Sequence, residues 1–159
     1  MEINIIAVGK IKENYLVDAI NEYKKRLKKF CDMNIIEISE YKINIENNSY
    51  VEIAKQNEGE KILDILENKN GYNIAMAIDG KMFDSEEFSK NLNEIKLYRK
   101  KNINFIIGGS YGLSDEVIKK ADIKISFSKM TFPHQLFRLI LLEQIYRAFK
   151  IEYNEPYHK

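Results

Sequence analysis

The sequence predicts one α/β domain built on a largely parallel sheet. Three observations predict it. Short apolar runs such as INIIAV, MNIIEIS and INFII are continuous, as strands buried on both faces are. Segments with apolar residues at helical spacing separate them. The alternation fills the 159 residues, a length that suits one domain, 1–159, with a sizeable core and no linker, repeat or low-complexity stretch.

In order, Ile3 to Val8 reads as a strand that ends at Gly9. Tyr15, Leu16, Ala19, Ile20, Tyr23 and Leu27 mark a helix over about Glu13 to Lys28. Met33 to Ser39 is the second strand, and the Asn-rich stretch Glu40 to Tyr50 reads as a loop. Val51 to Leu66 is a charged helix with apolar residues near its end. The third strand lies between Gly71 and Gly80, and Asp84 or Ser85 caps the helix after it, with acids in the first turn. Ile103 to Ile107 is the fourth strand and closes in GGSYG. Ser114 to Ala121 is a short helix, and Ile123 to Ser128 the fifth strand. Pro133 then suits the first turn of a long final helix and holds Phe132 extended.

Composition narrows the function. A net charge of +1 argues against a general nucleic-acid coat, though not against docking on one shaped RNA site. Cys31 is the only cysteine, which excludes an intrachain disulfide, fits a reducing cytoplasm and reads as a packing residue. The N-terminus has no basic n-region, and no apolar run is long enough to span a membrane. His134 and His158 are far apart and lack a cysteine cluster, so no metal is expected.

Ligands of parallel sheets sit beyond the carboxyl ends of the strands. Three loops there carry chemistry: Asp79-Gly80, GGSYG over Gly108 to Gly112, and FSKMTF over Phe127 to Phe132. Neither a dinucleotide fingerprint nor a Gly-Lys-Ser/Thr phosphate loop is present, which leaves a small nucleotide-binding regulator a poor reading. The final helix is apolar over most of its circumference, from Leu136 to Phe149. One face can meet the sheet. The other is expected to meet a second copy across a two-fold axis. Glu143 and Arg147 stand at i, i+4 and can pair.

The stretches IIGGSYGL, SFSKMTFPHQLFRLILLEQIYRAFKI, the terminal PYHK and the opening INIIAVGKIKENY resemble the small bacterial SPOUT-class methyltransferases, and among them the pseudouridine N3-methyltransferases of large-subunit ribosomal RNA. The likeness covers essentially the whole chain. It implies a single-domain SPOUT (alpha/beta knot) fold, with a mostly parallel sheet flanked by helices and a C-terminal trefoil knot. It implies a homodimer that uses S-adenosyl-L-methionine on large-subunit rRNA within the assembled ribosome. Cofactor positions then fall on Met76, Gly108, Phe127, Ser128, Lys129, Met130, Thr131 and Phe132, with Met76 a volume-conserving change from the leucine common in relatives.

The same resemblance makes Tyr157, His158 and Lys159 a substrate-facing tail. His158 is expected to accept or steer the proton of the attacked nitrogen, and Tyr157 to stack on or hydrogen-bond the base. Arg147 is expected to stabilise negative charge on the base, and Glu143 to orient Arg147. Lys159 replaces an arginine common in relatives and keeps its charge without the bidentate geometry. The tail of one subunit is expected to complete the pocket of the other. Lys24, Lys25, Arg26, Lys28 and Lys29 are candidates for contact with the ribosome, or simply a solvated face. A SPOUT enzyme acting on another RNA such as tRNA, and a non-catalytic ribosome-binding factor, are the competing readings.

Overall fold

The computed structural model describes residues 1–99 and 102–158. The elements run β1 (Glu2–Val8), α1 (Asn14–Leu27), β2 (Asp32–Ile38), α2 (Asn48–Asn68), β3 (Tyr72–Met82), α3 (Ser85–Glu94), a π-helical turn (Ile95–Arg99), β4 (Ile103–Ile107), α4 (Asp115–Lys120), β5 (Ile123–Ser126) and α5 (His134–Glu152). The strands form one sheet in the order β2-β1-β4-β3-β5, with every pairing parallel.

Side chains alternate across the sheet with a period of two, and each face finds its own helices. Ile3, Ile5, Ala7, Ile103, Phe105 and Ile107 pack with Ile20 and Leu27 of α1, Phe88 and Leu92 of α3, and Leu141, Leu142 and Ile145 of α5. Ile6, Val8 and Ile106 face the other way, onto Ile62 of α2 and Val117 of α4. Crossovers toward β2 thus lie on the first face and those toward β5 on the second. All four therefore share one hand, as the rule for parallel crossovers requires.

Four asparagines cross the sheet in one row. Asn34 donates to Asn4 (3.2 Å), Asn4 to Asn104 (2.9 Å) and Asn104 to Asn73 (2.9 Å). Each is the register partner of the next. A slip by one residue would bury unpaired amides, so the row pins the register.

Several boundaries differ from expectation. Asn47 caps α2 by accepting the Tyr50 N–H (3.0 Å), so the helix starts inside the stretch read as loop. β3 continues past Gly80 to Met82, because β5 pairs with it both at Ile74–Met76 and again at Lys81–Met82. β5 ends at Ser126, two residues early, where the Ser126 hydroxyl turns to donate to Ser128 O (3.0 Å). Pro133 stands just before α5 and not inside its first turn. Asp84 forms a full capping box with Glu87 on α3. Cys31 is buried, and burial pushes its thiol up to about 12, as a packing residue requires.

Within the single chain α5 is covered on one side only, and the other side is the one expected to meet a second copy. Leu141, Leu142, Ile145, Tyr146, Ala148 and Phe149 are buried, but Leu136 is 37% exposed, and Phe137, Leu139 and Ile140 are half-buried. The sheet, α1 and α3 cover one side only. Leu136 is three and four residues from Leu139 and Ile140, these are four and three from Glu143, and Arg147 is four further on, so they share the remaining face.

Candidate functional site

A cavity of ≈590 Å³ opens at the carboxyl ends of β3, β4 and β5. Met76, Gly108, Phe127, Ser128, Met130, Thr131 and Phe132 all line it. Lys129 is exposed and lies outside the wall. Gly112 of the GGSYG loop lines it too, as do Leu113, Ser126, His134 and Phe137, which the sequence reading did not single out for a ligand. Phe137 was findable: in the first turn of a helix a side chain leans back toward the N-terminus, here onto the preceding loop.

Local chemistry shapes each wall. Gly108 sits so close to Gly112 that a Cβ on it would lie 2.7 Å from the Gly112 carbonyl carbon. Gly112 has φ +83°, a left-handed conformation that glycine adopts without strain, and its N–H donates to Gly109 O (3.1 Å). The opposite loop is held by rings: Phe127 packs edge-on against Phe88 (5.6 Å) and beside Phe137 (5.5 Å), which stacks with Phe132 (6.2 Å). Ser128 Oγ accepts the Met130 N–H (2.9 Å). Asp79 pairs with Lys124 at the rim, and that ammonium holds the Asp79 carboxyl below its usual range.

Glu58 of α2 lies behind the glycine loop, 2% exposed. Its Oε1 accepts the Tyr41 N–H (2.9 Å), and a Cβ on Gly109 would lie 3.0 Å from its Oε2. Burial pushes this carboxyl up. The unfolded chain loses the proton at the ordinary value of about 4.3, the folded one only at higher pH, so stability falls as pH rises through that window. Glu58→Gln is expected to gain stability relative to the native protein as pH rises above about 4.3 in thermal melts. Parallel melting curves across that range would contradict this.

A second cluster lies farther along α5. Arg147 donates to Glu143 Oε1 from Nε (3.1 Å) and Nη2 (2.6 Å), and this bonding pushes the guanidinium further up. Tyr157 donates to the same oxygen (3.1 Å), and Arg147 lies over its ring at 4.8 Å. His158 Nδ1 is 3.3 Å from Arg147 Nη1. Burial, the hydroxyl of Tyr23 and Glu143 push the Tyr157 phenol above its usual range. Glu155 anchors the tail by pairing with Lys150 and with Lys29 (3.1 Å). Glu143, Arg147, Tyr157 and His158 thus lie together in one chain, with Glu143 and Arg147 paired as their i, i+4 spacing allows, while Lys159 lies outside the described residues.

The two clusters do not meet within one chain. Phe137 at the cavity and Arg147 are ten residues apart on α5, about 15 Å along the axis. Of the basic residues at the end of α1, Arg26 pairs with Glu22 (2.8 Å) and Lys29 with Glu155. Among the described residues no group of His, Cys, Asp and Glu is placed to hold a metal ion, and no helix is long and apolar enough to cross a membrane.

The family model for "Predicted SPOUT methyltransferase" matches residues 1–158. The chain is 52% identical, over the full length of both, to the ribosomal RNA large subunit methyltransferase H of Clostridium acetobutylicum. It is 54% identical, again over both full lengths, to that of Clostridium kluyveri. Among solved structures, a probable methylase family protein from Haemophilus influenzae Rd KW20 superposes with a TM-score of 0.57 at 12% identity, over 96% of this chain and 66% of the other. The SpoU methyltransferase AviRb of Streptomyces viridochromogenes, in complex with AdoMet, gives 0.50 at 11% identity, over 97% and 61%. The structures speak for the fold, and the full-length sequence matches for descent: the chain belongs to the SPOUT methyltransferase family.

Proposed function

We propose that this protein methylates N3 of a pseudouridine in large-subunit ribosomal RNA, using S-adenosylmethionine, as a cytoplasmic homodimer that works on the assembled ribosome. Its relatives named for large-subunit rRNA, at 52–54% identity over their full length, support the RNA class. The observation that carries the chemistry is the separation of two complementary half-sites along α5. One is a cavity shaped for a small molecule, and the other is a charged, tyrosine-bearing tail.

The cavity fits the methyl donor. Its volume falls within the roughly 300–1,000 Å³ of small-ligand pockets, with apolar walls and exposed backbone edges. Ile107, Leu113, Ile125 and Phe137 offer apolar surface to a purine, and Gly108, Phe127, Ser128, Thr131 and Phe132 line the same cavity, where their backbone would meet its edge. When bound, the donor supplies an electrophilic methyl with a built-in leaving group. Positioning then provides much of the rate. In the balanced reaction the imide N–H proton leaves to solvent, the nitrogen lone pair forms the new N–C bond, and the C–S pair returns to sulfur.

The tail is set to contact the base. Arg147 has N–H groups beyond those given to Glu143 and His158, available to an oxygen of the base as charge grows there. Glu143 fixes the orientation of Arg147, and Tyr157 offers its ring to the base. In a two-fold dimer packed through the uncovered face of α5, the tail of each subunit would reach the cavity of the other. Lys159 would extend that contact to the RNA. A trefoil knot, with the chain after β5 threaded through the preceding loops, belongs to the same reading.

The test gives purified protein labelled S-adenosylmethionine with assembled ribosomes or free large subunits, both lacking the modification, and maps the rRNA by mass. Label on one large-subunit pseudouridine is the expected result, with ribosomes preferred over free subunits. Label only on other RNAs such as tRNA, or donor binding without transfer, would overturn it.

A further inference from the structure

We propose that His158 serves the target base as a hydrogen-bond donor through Nε2–H, and not as the acceptor of the proton the base loses. The inference deepens the function proposed above and rests on it. Its basis is the 3.3 Å contact between Arg147 Nη1 and His158 Nδ1. A guanidinium carries five N–H donors, has no acceptor, and stays protonated in proteins. In this contact Nδ1 therefore accepts. A neutral imidazole has one N–H, and with Nδ1 accepting, that hydrogen sits on Nε2.

The surroundings hold this arrangement in place. Arg147 cannot swing away freely, because Nε and Nη2 are both committed to Glu143 Oε1. Glu143 is itself held, by Gln144 on Oε2 (2.7 Å) and by Tyr157 on Oε1 (3.1 Å). The single phenolic hydrogen of Tyr157 goes to Glu143, so the 3.4 Å contact with Tyr23 is a bond that Tyr23 donates. Among the described residues, the charged and titratable groups around His158 are Arg147 and Glu143 from α5, Tyr157 beside it, Tyr23 from α1 acting through Tyr157, and Glu86 from α3. Glu86 Oε1 lies 4.0 Å from Nε2, on the side that carries the hydrogen.

A general base has to take up a proton and hold it. Nε2 already has one. Protonating Nδ1 would set a second donor against the Arg147 guanidinium and lose that bond. What the ring keeps is one N–H, on Nε2. A carbonyl oxygen beside the reacting nitrogen of a pyrimidine imide is the acceptor it suits, because negative charge gathers there as the imide proton leaves to solvent. His158 and the free N–H groups of Arg147 would then share the stabilisation of one anion.

Two measurements test this. The chain has only two histidines, His134 and His158, so ring-¹⁵N labelling gives a spectrum that one substitution, His134→Gln, assigns. The expected state of His158 at neutral pH is unprotonated Nδ1 with protonated Nε2. An Nδ1–H tautomer or an imidazolium overturns the proposal. The second is single-turnover methyl transfer by His158→Gln and His158→Ala on unmodified ribosomes. Glutamine presents an N–H near the Nε2 position and is no base. It is expected to stay within about tenfold of native, while alanine loses about 10²–10³. If the two variants lose equally, by about 10²–10⁴, His158 is the base and the proposal fails. Native protein that methylates no large-subunit pseudouridine would overturn the underlying function instead, whatever the spectrum shows.

Discussion

Deleting Tyr157 to Lys159 is expected to abolish methyl transfer while leaving S-adenosylmethionine affinity, measured by calorimetry, close to native. The cavity is built from β3, β4, β5 and the start of α5, and among the described residues none of the tail lines it. The tail packs instead on Tyr23, Tyr146 and Arg147. A sharper form of the experiment separates a site shared between subunits from one within a chain. The truncated protein is mixed with Gly108→Val, whose added Cβ would stand 2.7 Å from the Gly112 backbone and close the donor pocket. If each tail serves the partner's cavity, a mixed dimer keeps one intact site, formed by the truncated subunit's cavity and the other subunit's tail. Half the dimers are mixed, and each restores one site of two, so roughly a quarter of native activity should return. If the tail serves its own chain, every dimer lacks one half of each site and nothing returns. The separation of about 15 Å along α5 favours recovery.

The sheet was legible in the sequence because buried parallel strands must be continuous and apolar, as Ile3 to Val8 and Ile103 to Ile107 are. The cavity loops were legible for a related reason: ligands sit at the carboxyl ends of strands, and glycines there mark close backbone approach. The Asn34–Asn4–Asn104–Asn73 row was present as one asparagine near the start of four strands. It went unread because its meaning depends on register, which a single strand does not disclose. The early start of α2 was hidden by an Asn-rich stretch, in which Asn47 proves to be a cap. The apolar circumference of α5 was read correctly as more than one chain can cover, but which residues stay uncovered depends on the packing angle against α1 and α3. The roles of Glu143, Arg147, Tyr157 and His158 came from family resemblance. Among these, the Glu143–Arg147 pairing alone was open to a spacing argument.

Arg138 was passed over as one more residue of an apolar helix, and its loss should be among the most costly substitutions to stability. It is fully buried, at 0% exposure. Nη1 pairs with Glu37 of β2 (2.9 Å), and Nη2 donates to Val8 O (2.9 Å) and Gly9 O (2.7 Å) at the end of β1. Burial pulls its pKa down, but a guanidinium starts high enough to remain charged. Arg138→Met would keep most of the volume yet take the Arg138 hydrogen bonds from two carbonyls and from Glu37, whose Oε1 would keep only the Ile11 N–H. That should cost about 3 kcal/mol, or roughly 6–12 °C in Tm for a domain of this size. The effect should also reach the cavity, since His134 and Phe137 in the turn before Arg138 line its wall. Weaker donor binding is therefore expected even at temperatures where the variant remains folded. Arg138→Lys keeps the charge but cannot reach both carbonyls and Glu37 at once, and should fall between native and methionine. A melting temperature for Arg138→Met within a degree or two of native would mean that the strand ends and α5 are held by packing alone, with the buried ion pair adding nothing net.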